Sequence, residues 1–156
     1  MIIRKAEEKD IPRVIALLEQ VLEIHADLRP DLFIHGTTKY TPDDLRAIFA
    51  NEKTPVWVAA DEADETVGYV FCEIEDPVES NNMIPRRTLY IDDLCIDASQ
   101  RGKHVGEALY RHALEEAKAL GCYSVTLNVW EGNAARRFYE KMGMKVRKTM
   151  METILD

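Results

Sequence analysis

The chain is 156 residues long and 46% apolar, with 20 Lys and Arg against 28 Asp and Glu, for a net charge of −8. That length fits one domain with a core large enough to stand without metals or disulfides, burying roughly 68–70% of the unfolded surface. The charge argues against a nucleic-acid or anionic-membrane binder, whose affinity rests on neutralising phosphates. It is also unevenly placed: residues 1–100 hold ten basic and 21 acidic side chains, residues 101–156 ten basic and seven acidic.

No apolar stretch approaches the roughly 18 residues of a membrane span, and the N-terminus turns acidic at once, without the apolar centre of a signal peptide. These features place the chain in the cytoplasm. Cys72, Cys95 and Cys122 are odd in number and far apart, so they read as reduced core residues rather than a disulfide framework or metal site.

In chain order, Ile2 and Ile3 begin a short strand. Asp10-Ile11-Pro12 then opens a helix, with Asp10 as cap, and Val14, Ile15, Leu18, Val21 and Leu22 recur at helical spacing to about Glu23. Arg29-Pro30 interrupts. Thr41-Pro42-Asp43-Asp44 starts a second helix with a capping box. Residues 56–60 and 67–74 read as strands joined by a polar turn, and residues 89–96 as a third. Val105, Leu109, Ala113, Ala117 and Leu120 give a long helix ending at Gly121. A strand at 124–129, a helix at 133–142 and a final strand at 145–154 complete the order βααβββαβαβ. Hairpin-linked strands followed by a strand–helix–strand crossover imply one mixed α/β domain over residues 1–156, with helices on both faces of the sheet.

The loop between the third of these strands and the long helix is Arg101-Gly102-Lys103-His104-Val105-Gly106. A tight glycine-containing turn opening a helix leaves backbone N–H groups free and adds the positive end of the helix dipole, which suits a pyrophosphate. An ordinary solvated loop is the plain alternative. Neither the Walker A pattern nor the dinucleotide Gly-x-Gly-x-x-Gly pattern is present.

This hexapeptide resembles the acyl-CoA pyrophosphate loop of the GNAT superfamily of N-acyltransferases, Q/R-x-x-G-x-G/A, with His104 where that pattern has its first glycine. Residues 133–144, containing Asn133 and Phe138-Tyr139-Glu140-Lys141-Met142-Gly143, are similar to the family's second signature. The resemblance implies the following. The sheet splays between two central parallel strands, and the pantetheine arm of the cosubstrate acetyl-CoA pairs with backbone at Leu94, Cys95 and Ile96. The pyrophosphate sits on Arg101, Gly102, Lys103, His104, Val105 and Gly106. Asn133 either contacts CoA or only caps its helix. Tyr139 is the acid that protonates the leaving thiolate. Asp92 and Asp93, which strand alternation would send to opposite faces, are candidate bases or acceptor contacts. Glu73, His25 and Asn128 are candidate acceptor-side residues, Glu73 reading first as a polar strand alternate. No metal site is expected.

The implied activity is N-acetylation of a primary amine (a small cationic, polyamine-like or peptide amine) by direct attack in a ternary complex, in a homodimer by analogy with similar proteins. The alternative is a non-catalytic CoA-binding sensor or partner-binding module on the same fold, to which His104 and the displaced Asn133 would point.

Overall fold

The computed structural model describes residues 1–156. Five strands form one sheet in the order β1 (Ile2–Lys5), β2 (Val56–Ala60), β3 (Thr66–Glu75), β4 (Thr88–Ile96) and β5 (Ser124–Leu127). The first three pairings are antiparallel and β4–β5 is parallel, as a helical crossover requires.

The helices lie on opposite faces. Alternation along β2 sends Val56 and Val58 toward α1 (Ile11–Leu28) and α2 (Pro42–Ala50), where they join Val14, Leu17, Leu18, Leu45, Tyr69 and Phe71. Trp57 and Ala59 face the other way, toward α3 (Val105–Ala119), and pack with Val70, Leu89, Leu109 and Ala113. The last helix, α4 (Ala135–Lys141), adds Phe138 to the rim of this second core.

Several local expectations are met for their stated reasons. Thr41 accepts from the Asp44 N–H at 3.1 Å and Asp44 accepts from the Thr41 N–H at 2.9 Å, closing the capping box. Gly121 ends α3 with φ +73°. Cys72 and Cys95 are buried and unpaired.

Three expectations are corrected. Helix α1 runs on to Leu28, because fully buried Ala26 extends its apolar face until Arg29, restricted by Pro30, leaves the helical region. Asp10 does not cap that helix with its side chain. It is buried instead, accepting from Arg4 at 2.8 and 2.9 Å, from Thr66 Oγ1 at 2.8 Å and from the Glu7 N–H at 2.7 Å. Burial pushes its pKa up, but these donors outweigh burial and hold it below the usual aspartate value. Finally, residues 145–154 form no strand, and β5 is the edge of the sheet.

Candidate active site

Strand β4 is the scaffold of the site. Its pairing with β5 runs only from Thr88↔Ser124 to Ile91↔Leu127, after which β4 continues alone to Ile96. The Asp97 N–H donates back to Val67 on β3 at 2.8 Å, so alternation turns the N–H and C=O of Leu94 and Ile96 the other way, into the opening. Cys95 presents its backbone to β3. The Ile96 carbonyl is taken by Gln20 Nε2 at 2.8 Å, while Gln20 Oε1 accepts from the Ala98 N–H at 3.3 Å. Among Leu94, Cys95 and Ile96, the opening thus offers the whole peptide edge of Leu94 and the N–H of Ile96.

The register of β3 on β4 shifts between Phe71↔Asp93 and Cys72↔Ile91, leaving Asp92 as an extra residue. Such a bulge breaks alternation. Asp92 and Asp93 therefore both reach the α1–α2 side, contrary to the expectation of opposite faces. Asp92 accepts from Lys39 Nζ and from the Tyr40 hydroxyl, each at 2.7 Å, and Tyr40 stacks on Phe71 at 5.6 Å. Asp93 accepts from the Tyr69 hydroxyl at 2.6 Å, and Tyr69 packs edge-on against the same Phe71 at 4.8 Å. Burial raises the Asp93 pKa to about 6; the adjacent Asp92 adds to the rise, while Tyr69, Lys39 and the Leu94 N–H oppose it. Glu73, on β3, joins Tyr40, Phe71 and Asp92 around a small cleft of about 20 Å³, and burial beside Asp92 raises its pKa too.

The loop between β4 and α3 is anchored at its start. Asp97 accepts from the Ser99 hydroxyl and N–H at 2.7 and 2.9 Å and pairs with Arg13; these contacts hold its pKa down to about 2. Beyond it the N–H groups of Gly102, His104, Val105, Gly106 and Glu107 donate to no backbone carbonyl, whereas Lys103 N–H makes a 3.3 Å bond to Gln100. Five free donors at the start of a fifteen-residue helix form a cradle for a diphosphate. Gly102 and His104 both have positive φ, +81° and +62°. Only the latter carries a side chain there, so His104 supplies its N–H from a conformation that favours glycine. Its ring points to solvent, 3.3 Å from Glu107.

Tyr139 enters from α4, half-buried against Phe138 and Tyr110. Burial, followed by the nearby Asp93 and Cys95, raises its pKa above the usual phenol value, and no hydrogen bond ties its hydroxyl down. It is a neutral phenol with a free proton. Cys95, by contrast, is pushed up to about 12 by burial and the adjacent Asp93, so it stays a thiol and is a poor nucleophile.

Asn133 accepts from the Ala135 N–H, two residues on, at 2.9 Å, a local turn just ahead of α4, whose cap position is Ala134. Asn128 Nδ2 donates to the Tyr90 hydroxyl at 3.1 Å just beyond β5. His25 packs tilted against Phe33 at 5.2 Å; Phe33 meets Trp130 edge-on at 5.5 Å, and Arg29 lies over Trp130. Burial and the Lys39 charge lower the His25 pKa, keeping it neutral at pH 7. The structure thus brings Asp92, Asp93, Glu73, Leu94 and Tyr139 around the opening, with His25 toward the end of α1. Lys39, Tyr40, Tyr69 and Gln20 also belong to this neighbourhood, and their partners lie too far away in sequence for any local pattern to reveal. No cluster of His, Cys, Asp and Glu could hold a metal ion. A surface concavity of about 640 Å³ lies at the far β1 edge, where Arg4 and Lys9 both pair with Asp64, away from this opening.

Comparison with known proteins agrees with this geometry. Residues 18–144 match the model of the acetyltransferase (GNAT) family. The peptidyl-lysine N-acetyltransferase YjaB of Salmonella typhimurium is 30% identical over 145 residues, covering 92% of this chain and 83% of that protein. The glucosamine 6-phosphate N-acetyltransferase of Arabidopsis thaliana is 33% identical over 67 residues, 43% of this chain and 44% of that one. Among solved structures, a tetramutant of the BH1408 protein of Bacillus halodurans superposes with a TM-score of 0.95 at 33% identity, covering 99% of this chain and 100% of that one.

Proposed function

The chain belongs to the GNAT acetyltransferase family and is an acyl-CoA-dependent N-acetyltransferase with acetyl-CoA as its cosubstrate, and we propose that its acceptor is a cationic primary amine of the lysine side-chain type, acetylated by direct attack with Asp93 as base and Tyr139 as acid. The single domain, residues 1–156, carries both half-sites. The observation that supports this reading is the pairing of two groups with opposed proton affinities at one opening: a carboxyl with a pKa of about 6 and a phenol held neutral.

The free N–H groups of the loop take the pyrophosphate, with Arg101 and Lys103 beside them. The thioester lies along Leu94, whose N–H donates to the carbonyl oxygen as it becomes an oxyanion. Asp92, Asp93 and Glu73 attract the acceptor ammonium. An amine of this type has a pKa of about 10.4 and must lose a proton before it attacks; Asp93, ionised at neutral pH, accepts it directly or through water. The nitrogen bonds to the carbonyl carbon, the C–S bond breaks, and the departing sulfur takes the Tyr139 proton; the surplus proton on the new amide nitrogen then passes, directly or through water, to the Tyr139 phenolate and restores the phenol. The high pKa of Cys95 disfavours an acyl-enzyme. Leu32 and Ile34, between α1 and α2, and Val78, Met83 and Ile84, between β3 and β4, are exposed and apolar, which favours an amine carried on a peptide over one enclosed in a pocket. Neutral His25, in its aromatic cluster, and Asn128 border the acceptor side.

Thiol release from acetyl-CoA, measured across polyamines, amino sugars and lysine-containing peptides, tests the reading. The expected result is turnover with cationic primary amines and greatest efficiency with lysine peptides. Tight CoA binding with no release on any amine would instead mark a binding module.

A further inference from the structure

Helix α1 grips the chain where β4 ends and the following loop begins. Arg13, Leu17 and Gln20 recur at i, i+4 and i+7, so they share one face of the helix. Arg13 pairs with Asp97 and donates from Nε to the Thr66 carbonyl at 3.2 Å. The Leu17 carbonyl accepts from Cys95 Sγ at 3.6 Å. Gln20 goes further, because its one amide spans the junction. Nε2 donates to the Ile96 carbonyl at 2.8 Å and Oε1 accepts from the Ala98 N–H at 3.3 Å, joining the last residue of β4 to the first turn of the loop.

Each segment is held on its own side. Strand β4 keeps its register on β3 through Tyr69↔Cys95 and Gly68↔Ile96, and the loop is pinned by Asp97 against Ser99 and by the start of α3. Strand pairing does not fix one against the other, because the chain leaves β3 after the Asp97 N–H bond to Val67 and turns away. Without Gln20 the Ala98 N–H would have no partner in the protein, and the Ile96 carbonyl would keep only a long contact from Cys95 Sγ at 3.7 Å.

We propose that Gln20 is a positioning residue for the cosubstrate: it sets the backbone edge of Leu94 and Ile96 at a fixed span from the N–H cradle of the loop, so that one molecule meets both at once. This rests on the placement of the pantetheine arm and thioester along Leu94 and of the diphosphate on the loop. A ligand held at two linked sites gains most when both are preset at the span it bridges, since its second contact then forms at high effective concentration. Gln20 acts through backbone groups alone. Its loss is therefore felt by a molecule that spans both segments and not by one that engages a single segment.

Competition binding with three probes separates these cases: coenzyme A, pantetheine, which has the arm without the diphosphate, and ADP, which has a diphosphate without the arm. Wild-type protein should bind coenzyme A far more tightly than either half. Gln20→Met keeps the side-chain length and the helix but has no amide; it should raise the Kd of coenzyme A by about 10–100-fold, the size of two lost hydrogen bonds, and leave the Kd of pantetheine and of ADP close to wild type. Gln20→Asn retains an amide one methylene too short to bridge Ile96 and Ala98. It should show the same pattern, and it remains informative if the methionine disturbs the fold. An equal loss with all three probes makes Gln20 a plain structural support and overturns the proposal, as does an unchanged Kd for coenzyme A. A wild-type protein that binds coenzyme A no more tightly than the better half overturns the two-segment placement of the cosubstrate, and the proposal with it.

Discussion

Replacing Asp93 with asparagine separates catalysis from stability in opposite directions. The introduced amide keeps the size of the carboxyl and can still accept from Tyr69, but it can neither ionise nor take a proton. With a pKa of about 6 the wild-type carboxyl is about 9% ionised at pH 5 and about 91% at pH 7, so kcat at saturating amine should rise about tenfold over that range. In Asp93→Asn that limb should vanish and kcat at pH 7 fall by about 10²–10⁴, the usual contribution of a positioned base. Stability should move the other way. The folded pKa of about 6 lies above the unfolded value of 3.8, so the native state holds more protons between those limits and stability is lost as pH rises through that window. Freed of that cost, the variant should melt higher than wild type at pH 7.5 and gain nothing at pH 3.5. Thiol-release kinetics from pH 5 to 8 and thermal melts at the two pH values make the comparison. An inflection near pH 6 that persists in the variant, or a lower melting temperature at pH 7.5, would refute the assignment.

Other changes probe the remaining parts of the site. Tyr139→Phe should lower kcat by about 10²–10⁴ while the KM for acetyl-CoA and the melting temperature stay close to wild type, because the hydroxyl has no partner within the fold to lose; equal losses in binding and rate would make it structural. His104→Gly removes a side chain from a left-handed position, so it should stabilise the protein by about 1 kcal/mol, or about 2–4 °C, and lower the KM for acetyl-CoA; a rise in that KM would mean the imidazole itself contacts the cosubstrate. Lys39→Ala frees Asp92 from a built-in ammonium, and steady-state titration with a lysine peptide should show a changed KM for the amine with the KM for acetyl-CoA unaltered. A change in the acetyl-CoA constant instead would place Lys39 on the cosubstrate side.

Much of the fold was legible because its signals are local. Helical spacing in α1 and α3, the Thr41 capping box and the glycine stop at Gly121 each depend on neighbours in sequence. The free N–H groups of the loop before α3 and the place of Tyr139 on a late helix were legible because both follow from short motifs. The two aspartates were found but misoriented: alternation holds only in a regular strand, and the bulge at Asp92 arises from how β3 meets β4. The partners that set their chemistry, Tyr40 and Tyr69, lie 52 and 24 residues away, and Gln20 reaches Ile96 from 76 away. Asp10 carried a sound capping signal, yet a half-buried Arg4 and a buried Thr66 claimed its oxygens first. Residues 145–154 had the composition of a strand, yet they make no backbone hydrogen bond and leave β5 as the edge of the sheet.

Direct transfer from acetyl-CoA to an amine is tested most directly by rapid-quench measurement of thiol release with and without a lysine peptide. With the peptide, free CoA and N-acetylated product should appear together in equal amounts; without it, no thiol should be released and the protein should gain no acetyl mass. A burst of thiol equal to the enzyme concentration in the absence of amine, with the acetyl group on Cys95, would contradict the account.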